Sequence, residues 1–368
     1  MRVHRLRKSD EGAVAVLVAL LSVVLIGVAA FTVDFGATYL TKRDLSNGTD
    51  AASLAAAKDL ATHSGTCLEI GADGTATSAA RTTGDGYLQD NLSGATRTGF
   101  DVGCDATGSV TVRYAGEALT DRALGGVFGG SGKYDVAREA TSTVGVASDV
   151  NGLRPYMICF SDLPTLELGG VQRINYPSAT CGNQAGNWYS TDCPGDGNNG
   201  TQTLADNTLN GCDTDISIID TTAAAGVSTQ IISILKANCP KLQADPGCLT
   251  ANTGNLASNN IENAWIALLG KDILLPVFYP GSLVGNGNNT RYPVYNFAGV
   301  TVCGYHWQSK SGLSTATACT GSSWQNGNYD ALLLKLTKVI TSGSTHASTC
   351  KLGDITCDFG ARVVHLVK

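Results

Sequence analysis

The stretch that decides the fold is Ala13–Val33, AVAVLVALLSVVLIGVAAFTV, in which no residue is charged and only Ser22 and Thr32 are polar. At about 1.5 Å of helical rise per residue, such a run is about 30 Å long, the thickness of the hydrocarbon core of a bilayer. No later stretch of the chain resembles it. The sequence therefore predicts a transmembrane helix at 13–33, with residues 34–368 together on one side of the membrane.

The charges that flank this run predict its orientation. Asp34 follows it directly, whereas four basic residues precede it: Arg2, Arg5, Arg7 and Lys8. Positive residues beside a span stay in the cytoplasm, so residues 1–12 are predicted to be a cytoplasmic arm and the bulk of the chain to be extracytoplasmic. An alternative is a signal peptide cut near Val28–Ala30, after Gly27. The apolar run continues past that site and is long enough to span, which favours an uncleaved anchor.

The composition excludes two classes of protein. Apolar residues make up 43% of the chain and charged residues 15%, which is not the composition of a disordered protein. The net charge is −6 and no basic stripe is present, so nucleic acid is not an expected partner. The 44 glycines indicate folded domains joined by glycine-rich loops.

The cysteines agree with export. All 12 follow the apolar run, and no C-x-x-C motif of a zinc ribbon or redox site occurs. In an exported chain an even set indicates disulfides; free thiols would require the predicted topology to be wrong. Neighbourhood along the chain predicts four pairs: Cys67–Cys104, Cys239–Cys248, Cys303–Cys319 and Cys350–Cys357. The remaining four pair among themselves in one of three ways: Cys159, Cys181, Cys193 and Cys212.

Residues 34–62 are predicted to continue the helix outside the membrane. Four small or apolar residues fall on one face at helical spacing: Leu45, Ala52, Ala56 and Leu60. Gly36 and Gly48 each lower helix propensity by about 1 kcal/mol, so a kink near Gly48 is expected, with Thr49 or Asp50 capping a restarted helix. The Ala-rich face is predicted to pack on the protein's own sheet, on neighbouring subunits, or on both.

Two further regions follow. Residues 63–150 are predicted to form a small α+β domain, with a helix at Thr77–Asn91, a helical or loop segment at 119–132, and strands at Ser109–Ala118 and Tyr134–Val146. This order of elements is analogous to that of pilin-like domains. Residues 151–368 are predicted to form a Cys-rich, loop-rich, β-containing domain.

Within that second domain, residues 175–215 are predicted to form a disulfide-tied surface loop, Thr229–Ala237 a helix, and Ala331–Ile340 either a helix or a strand. Strands are predicted at Arg154–Phe160, Leu166–Ile174, Ile273–Phe278, Tyr292–Cys303 and Arg362–Val367. The predicted fold class is therefore α+β: a transmembrane helix extended outside the membrane, then a disulfide-containing extracytoplasmic α+β or β-rich region.

Motifs that carry chemistry are weak in this chain. Gly129–Lys133 lacks the first glycine and the Ser or Thr of a P-loop, and the five histidines form no metal pattern. Five oxygen-bearing side chains could bind Ca²⁺, but they miss the spacing of a calcium loop and are better explained as solvated carboxylates and an amide: Asp192, Asp196, Asn198, Asp213 and Asp215. No catalytic, cofactor or metal site is predicted.

The N-terminal motifs carry a resemblance. DEGA at 10–13, VDFG at 33–36 and TDAASLAAA at 49–57 resemble the TadE/TadG-like family of the tight-adherence (Flp) pilus system, with small departures at 46–49 and at Ser53. The second region is more loosely similar to actinobacterial TadG-like proteins, through Asn187-Trp188, Ile273–Phe278, Gly285–Asn289, Tyr292–Ala298, Gly304-Tyr305 and the ending FGARVVHLV. The D-x-S-x-S metal motif of family members with a von Willebrand A domain is absent.

The resemblance implies a membrane-anchored, non-enzymatic component of pilus assembly that packs laterally with pilus subunits or secretion platform proteins and has no small-molecule substrate. The residues assigned to the membrane and assembly helix are Gly12, Gly27, Asp34, Gly36, Leu45, Ala52 and Ala56. Type IV pilins are cut after a glycine and need a Glu five residues beyond it; the residue five beyond Gly12 is Leu17, so this processing is not expected.

Two alternative functions use other parts of the chain. The first is an anchored adhesin or ligand-binding module, with the loops of residues 175–330 as its binding face. The second is an exported enzyme acting on envelope polymers, which needs Asp162 or Glu167 beside another carboxylate in a cleft.

Overall fold

The computed structural model describes residues 11–121, 133–165, 170–178, 181, 189–196, 200–239, 246–324, 329–345 and 350–367. The helices are α1 (Glu11–Leu60), α2 (Cys67–Ala72), α3 (Gly74–Asn91), α4 (Thr201–Asn210), α5 (Ser228–Ala237) and α6 (Asn259–Leu268). The strands are β1 (Thr96–Cys104), β2 (Val110–Asp121), β3 (Lys133–Val146), β4 (Asp149–Val150), β5 (Ile158–Cys159), β6 (Val171–Asn175), β7 (Ile216–Ser217), β8 (Cys248–Thr250), β9 (Asp272–Phe278), β10 (Arg291–Pro293), β11 (Asn296–Trp307), β12 (Lys310–Leu313), β13 (Ala331–Leu336), β14 (Val339–Thr341) and β15 (Ala361–Val367).

The N-terminal helix dominates the architecture. With 50 residues, α1 is about 75 Å long. Within the described chain it is the one helix long and apolar enough to cross a membrane, and only 6% of its apolar window is buried. The predicted apolar helix and its extension past Asp34 thus form one element.

The kink expected at Gly48 is wrong, because α1 runs through this residue without a break. Thr49 is helical, and its hydroxyl donates to the carbonyl oxygen of Ser46 (3.0 Å) instead of capping a new helix. A Cβ on Gly48 would lie 3.2 Å from Cδ1 of Leu88. The glycine therefore lets α3 approach α1 closely, and this packing offsets the weak helix propensity.

Helices α2 and α3 follow directly from their caps. Thr66 and Glu69 form a capping box, in which the Glu69 carboxylate accepts from the backbone N–H of Thr66 (2.7 Å). Asp73 accepts from the N–H groups of Thr75 and Ala76 and begins α3. The predicted helix at Thr77–Asn91 is thereby confirmed and starts three residues earlier, whereas α2 was not predicted.

The first sheet has the strand order β1-β2-β3-β15-β14. Its neighbouring strands are antiparallel except for the parallel pair β14 and β15. Strand β15 pairs Arg362–Val367 with Thr141–Val146 and so covers what would otherwise be the open edge of β3. Two strands from the region predicted as a second domain, at 339–341 and 361–367, therefore belong to the sheet of the N-terminal region.

The outer half of α1 packs on this sheet and on α3. Leu45, Ala52, Ala56 and Leu60 are fully buried. A hydroxyl also joins helix and sheet: Ser53 donates to the carbonyl oxygen of Val112 (3.0 Å) and lies 2.8 Å from Oγ of Ser142. Ser53 therefore links α1 to both β2 and β3 by hydrogen bonds.

The second sheet has the order β5-β9-β11-β13-β6, with β12 beside β11. Its core contains the fully buried rings of Tyr156, Trp265 and Trp307. The strand predicted at Ile273–Phe278 is present as β9. The strand predicted at Leu166–Ile174 is present only as β6, while residues 166–169 lie outside the described residues.

Two predictions in this region need correction, and the structure decides a third that the sequence left open. Of Arg154–Phe160 only Ile158–Cys159 is a strand, because Phe160 begins a 3₁₀ turn. Tyr292–Cys303 is divided between β10, which pairs with β8, and β11 in the second sheet. The segment 331–340 is strand, and its two pieces belong to different sheets. The partner of β5 is β9, which lies far away in sequence, so no local pattern marks this short strand.

The two sheets join at a close contact between backbones. Ala298 and Gly360 form a bridge, and the N–H of Val339 donates to the carbonyl oxygen of Gly360 (2.8 Å). Gly360 has φ +95°, and a Cβ there would lie 2.0 Å from the carbonyl oxygen of Thr337. Only glycine satisfies both conditions.

The structure pairs all 12 cysteines, with Cα–Cα separations between 5.2 and 6.1 Å. The four pairs predicted from chain neighbourhood are present: Cys67–Cys104, Cys239–Cys248, Cys303–Cys319 and Cys350–Cys357. Of the three options left open by the sequence, the structure has Cys159–Cys181 and Cys193–Cys212.

Candidate membrane and assembly surface

The inner half of α1 is bare on almost every side. Bulky apolar side chains from Val14 to Leu40 are more than half exposed; Leu25 is 66% and Phe31 72% exposed. A helix that is apolar all round and uncovered by its own protein is stable in a bilayer or against other helices, not in water.

This apolar surface extends beyond the predicted end of the span at Val33. Phe35, Tyr39 and Leu40 are 64%, 60% and 56% exposed. Asp34 does not interrupt the surface, because its side chain is buried (6% exposed). The first exposed charges are those of Lys42 and Arg43. The bare surface is thus about 10 Å longer than predicted.

The predicted assembly residues divide into two groups. Gly12 lies in the first turn of α1, and Gly27 and Gly36 lie in the bare half. Apart from the helix's own backbone and chain neighbours, no atom of the described residues comes within 4 Å of a Cβ built on Gly27 or on Gly36, so the packing of the described residues does not require glycine there. Glycine at such positions permits close approach of another helix.

The second group is inaccessible to partners. Leu45, Ala52 and Ala56 have no exposed surface, since α3 and the first sheet cover them. A Cβ on Gly84 of α3 would lie 3.1 Å from the carbonyl oxygen of Ala52, which shows how closely the two helices pack. The structure therefore places these three residues on the protein's own domain rather than on a neighbouring subunit.

A cavity of about 370 Å³ lies beside the outer end of the bare half. Tyr134 of β3 forms one wall, and residues of α1 form the other: Gly27, Ala30, Phe31, Asp34, Phe35 and Thr38. The cavity brings a strand of the first sheet next to the predicted end of the span.

A buried charge cluster holds the other end of α1. The fully buried guanidinium of Arg362 donates to the carbonyl oxygens of Ala61 (3.1 Å) and His63 (2.6 Å), just beyond the last turn of the helix. A cation at a helix C-terminus is favourable because it meets unpaired carbonyl groups. The same guanidinium lies 2.8 Å from the carboxylate of Asp358, and Nζ of Lys338 lies 3.9 Å from it.

Opposing effects determine the ionisation of this cluster. Burial acts to raise the pKa of Asp358, but the charges of Arg362 and Lys338, with the N–H of Gly353, together hold that pKa below its ordinary value. Burial lowers the pKa of Lys338. This cluster was not predicted, and its one signal in the sequence is an arginine within the apolar ending FGARVVHLV.

Three of the acidic residues considered as calcium ligands accept hydrogen bonds from three different asparagines. Asp192 is buried, which raises its pKa to about 6, and it accepts a hydrogen bond from Asn252. Asn207 donates to Asp196, and Asn151 donates to Asp215. Asn198 lies outside the described residues. Among the residues that the structure describes, no three His, Cys, Asp or Glu side chains are grouped to hold a metal ion.

The residues considered for catalysis are not brought together in a described cleft. Asp162 accepts a hydrogen bond from Ser178 (2.9 Å), and Glu167 and Gly129–Gly132 lie outside the described residues. A second cavity, of about 240 Å³, is lined by threonines, Tyr295, Asn296 and the Cys350–Cys357 pair. Neither this cavity nor the one beside α1 is lined by two carboxylates.

Comparison with known proteins gives a family match at the residues that form α1. No curated protein and no solved structure matches the chain. Residues 12–59 match the family described as putative Flp pilus-assembly TadE/G-like. The match does not extend into the second region, where the looser resemblance stays a prediction. It coincides with α1 and confirms the resemblance found in the N-terminal motifs: this chain carries a TadE/G-like segment of the Flp pilus-assembly family.

Proposed function

We propose that this protein is a membrane-anchored, non-enzymatic component of a Tad/Flp-type pilus, either a minor pilin-like subunit or an assembly factor. The TadE/G-like segment supports involvement in Flp pilus assembly. The observation that carries the proposal is the division of α1 into a half buried in its own domain and a half that is bare and apolar.

The orientation follows from charge and cysteine. The basic arm before the span stays in the cytoplasm. The bulk of the chain then folds outside, where the six cysteine pairs are oxidised. The missing Glu after Gly12 means that the anchor is retained.

The mechanism is lateral packing in the bilayer. Lipid tails are as apolar as leucine, so helices in a membrane associate through close packing at small residues. Gly27 and Gly36 are the two positions of the bare half where a partner helix can approach closely. Because α1 is continuous and its outer half is fixed in the sheet, a partner that packs on the span also sets the position of the external domain.

The first test is photocrosslinking in cells that make the pilus. A benzophenone amino acid replaces Leu25 in the bare half, and the control replaces Leu68 of α2, which is 77% exposed on the external domain. We expect crosslinks from position 25 to pilus subunits or platform proteins. Crosslinks to lipid alone, or equal capture from position 68, would contradict the proposal.

A matched pair of substitutions tests close approach. Gly27→Leu adds a side chain where a partner helix is expected, whereas Val28→Leu changes a neighbouring residue that is already bulky and 59% exposed. We expect Gly27→Leu to reduce surface pili strongly and Val28→Leu to leave them unchanged. Normal piliation in Gly27→Leu, or in a strain lacking the whole gene, would exclude this mechanism.

One feature favours the alternative of a ligand-binding module. Half-buried His306 stacks on Tyr329 with ring centroids 4.5 Å apart, and the guanidinium of Arg173 lies 4.9 Å from the Tyr329 ring. Trp324 lies beside His306, at 5.5 Å. Such a cluster suits a sugar or peptide ligand. Binding of intact cells to cell-wall or host polysaccharide, lost in Trp324→Ala with piliation unchanged, would support it.

A further inference from the structure

The hairpin of β2 and β3 runs along α1 toward the membrane. Near the outer end of α1, Val110 and Val144 share a buried cluster with Leu60. Further along the hairpin, Ala118 and Val136 share a cluster with Leu45. Moving along β2 from Val110 to Ala118 therefore corresponds to moving back along α1 toward the apolar span.

The described end of the hairpin reaches the level of the bare surface. Leu119 pairs with Asp135, Thr120 with Tyr134 and Asp121 with Lys133. Tyr134 forms one wall of the cavity whose other wall is Phe31, Phe35 and neighbouring residues of α1. The hairpin end thus lies beside residues 31–38, across the predicted boundary of the bilayer at Val33.

Apolar groups are exposed on both faces of this end. Tyr134 shares a face with Thr120, since the two are directly paired, and is 38% exposed. Leu119 belongs to the opposite face and is 57% exposed. Tyr134 is adjacent to the bare part of α1, so the helix and this face of the hairpin end form one continuous apolar surface, while Leu119 exposes a second apolar group at the same end of the hairpin.

The chemistry of this surface matches a lipid interface. Tyrosine is enriched where hydrocarbon meets headgroups, because its ring is apolar and its hydroxyl is polar. Tyr39 of α1 and Tyr134 of the hairpin both lie at this level. The first exposed cations of α1, Lys42 and Arg43, follow immediately outside, where lipid phosphates lie.

We propose that the end of the β2–β3 hairpin, at Leu119 and Tyr134, is a second membrane-contacting element that inserts into the interfacial layer of the outer leaflet. The inference rests on the membrane placement of α1 in the proposed function. It adds that the external domain lies directly on the bilayer, held at two points, rather than projecting from it on a bare stalk.

The test measures depth in the membrane. Full-length protein is reconstituted in phosphatidylcholine–phosphatidylglycerol vesicles with a fluorescent coumarin amino acid at a single position, 119 or 134. Nitroxide-labelled lipids with the nitroxide near the headgroup are then added. We expect roughly a twofold loss of fluorescence at both positions, as for a group in the interfacial layer.

Two control positions separate the possible failures. Position 25 lies in the centre of the span, and position 68 lies on α2 of the external domain. A lipid with its nitroxide deep in the acyl chains should quench the fluorescence at position 25. Neither nitroxide-labelled lipid should quench the fluorescence at position 68. Quenching at 25 without quenching at 119 and 134 overturns the hairpin proposal and leaves the anchor intact. No quenching at 25 overturns the anchor itself, and the hairpin proposal with it.

A charge variant provides an independent measurement. Leu119→Glu places a carboxylate in the interfacial layer, so fluorescence at position 134 should be released from the headgroup quencher while position 25 stays quenched. Leu68→Glu, the same change on an exposed leucine elsewhere, should alter neither signal. Unchanged quenching at 134 in Leu119→Glu, or shielding of 134 from lipid by a second copy of the chain, would overturn the proposal.

Discussion

The inner and outer halves of α1 are one uninterrupted helix with opposite surroundings. The inner half carries Leu, Val and Phe on all sides and is bare, whereas the outer half presents Ala, Gly and Ser on one face and is buried. Small side chains let a second helix and a sheet approach, and bulky apolar side chains all round leave the bilayer as the suitable surrounding. Side-chain size thus separates a domain core from a membrane span within a single element.

The largest expected loss of folding stability comes from removing the arginine that binds the end of the outer half of α1. Arg362→Met removes the closest charged partner of the buried Asp358, which keeps only the more distant Lys338, and it removes the donor to the carbonyl groups of Ala61 and His63. Loss of one partner of a buried pair costs about 3–5 kcal/mol. Denaturant unfolding of the detergent-solubilised protein should show this loss. Arg113→Met, which removes an exposed arginine from the same sheet, should leave stability nearly unchanged.

The next largest difference in stability between the two halves of α1 is expected from overpacking. Ala56→Leu adds volume to a fully buried position, which costs about 1–3 kcal/mol. Ala29→Leu makes the same change on the exposed face of the same helix and should cost nothing measurable in the external domain. If both variants unfold at the same denaturant concentration as the unmodified protein, the outer half is not packed as described.

A smaller difference is expected for two serines. Ser53→Ala removes a buried hydrogen bond to Val112 and should cost about 1 kcal/mol. Ser22→Ala removes an intrahelical bond to the carbonyl oxygen of Val18 in the bare half, and the stability of the external domain should not change. A double substitution whose cost equals that of Ser53→Ala alone would show that the halves are energetically separate.

Low pH should destabilise the domain that packs on the outer half of α1 and leave the apolar span unaffected. Because the pKa of Asp358 is held below its ordinary value of 3.8 in the folded state, its stabilising effect is complete well above pH 4. That effect is lost as the pH falls through the folded-state pKa. The span at 14–33 contains no titratable side chain. Circular dichroism in vesicles should therefore show acid unfolding of the domain while the protein stays membrane-bound, with a shallower pH dependence in Asp358→Asn.

The predictable parts of this fold depended on local signals. Apolar length predicted α1, alternation predicted β2, and chain neighbourhood predicted four cysteine pairs; β3 was also predicted as a strand. The edge strand β1 was not predicted, because it is exposed along most of its length and buried and exposed residues do not alternate in it. The short helix α4 was not predicted because Thr208 lies on its otherwise apolar buried face. The short helix α6 was also not predicted, although Ile261, Ala264, Trp265 and Leu268 form an apolar face at helical spacing.

The candidate site was predictable to a similar extent. The bare half of α1 followed from its composition, and the family resemblance followed from its flanking motifs. The cluster of Arg362, Asp358 and Lys338 did not, since Arg362 meets Ala61 across 301 positions of sequence. No local sequence pattern predicts that residues 361–367 form a strand that pairs with β3 in the first sheet.

That closure sets an order of events during biosynthesis. Helix α1 is synthesised first, but the sheet on which its outer half packs is incomplete until β15 has been made. At about 5–20 residues per second, the 301 positions between Ala61 and Arg362 correspond to roughly 15–60 seconds of synthesis. During that interval the outer half of α1 lacks its cap, and a truncated chain would never acquire one. A chain that stops before β15 would therefore have β3 as an uncovered edge of the first sheet and no guanidinium at the end of α1.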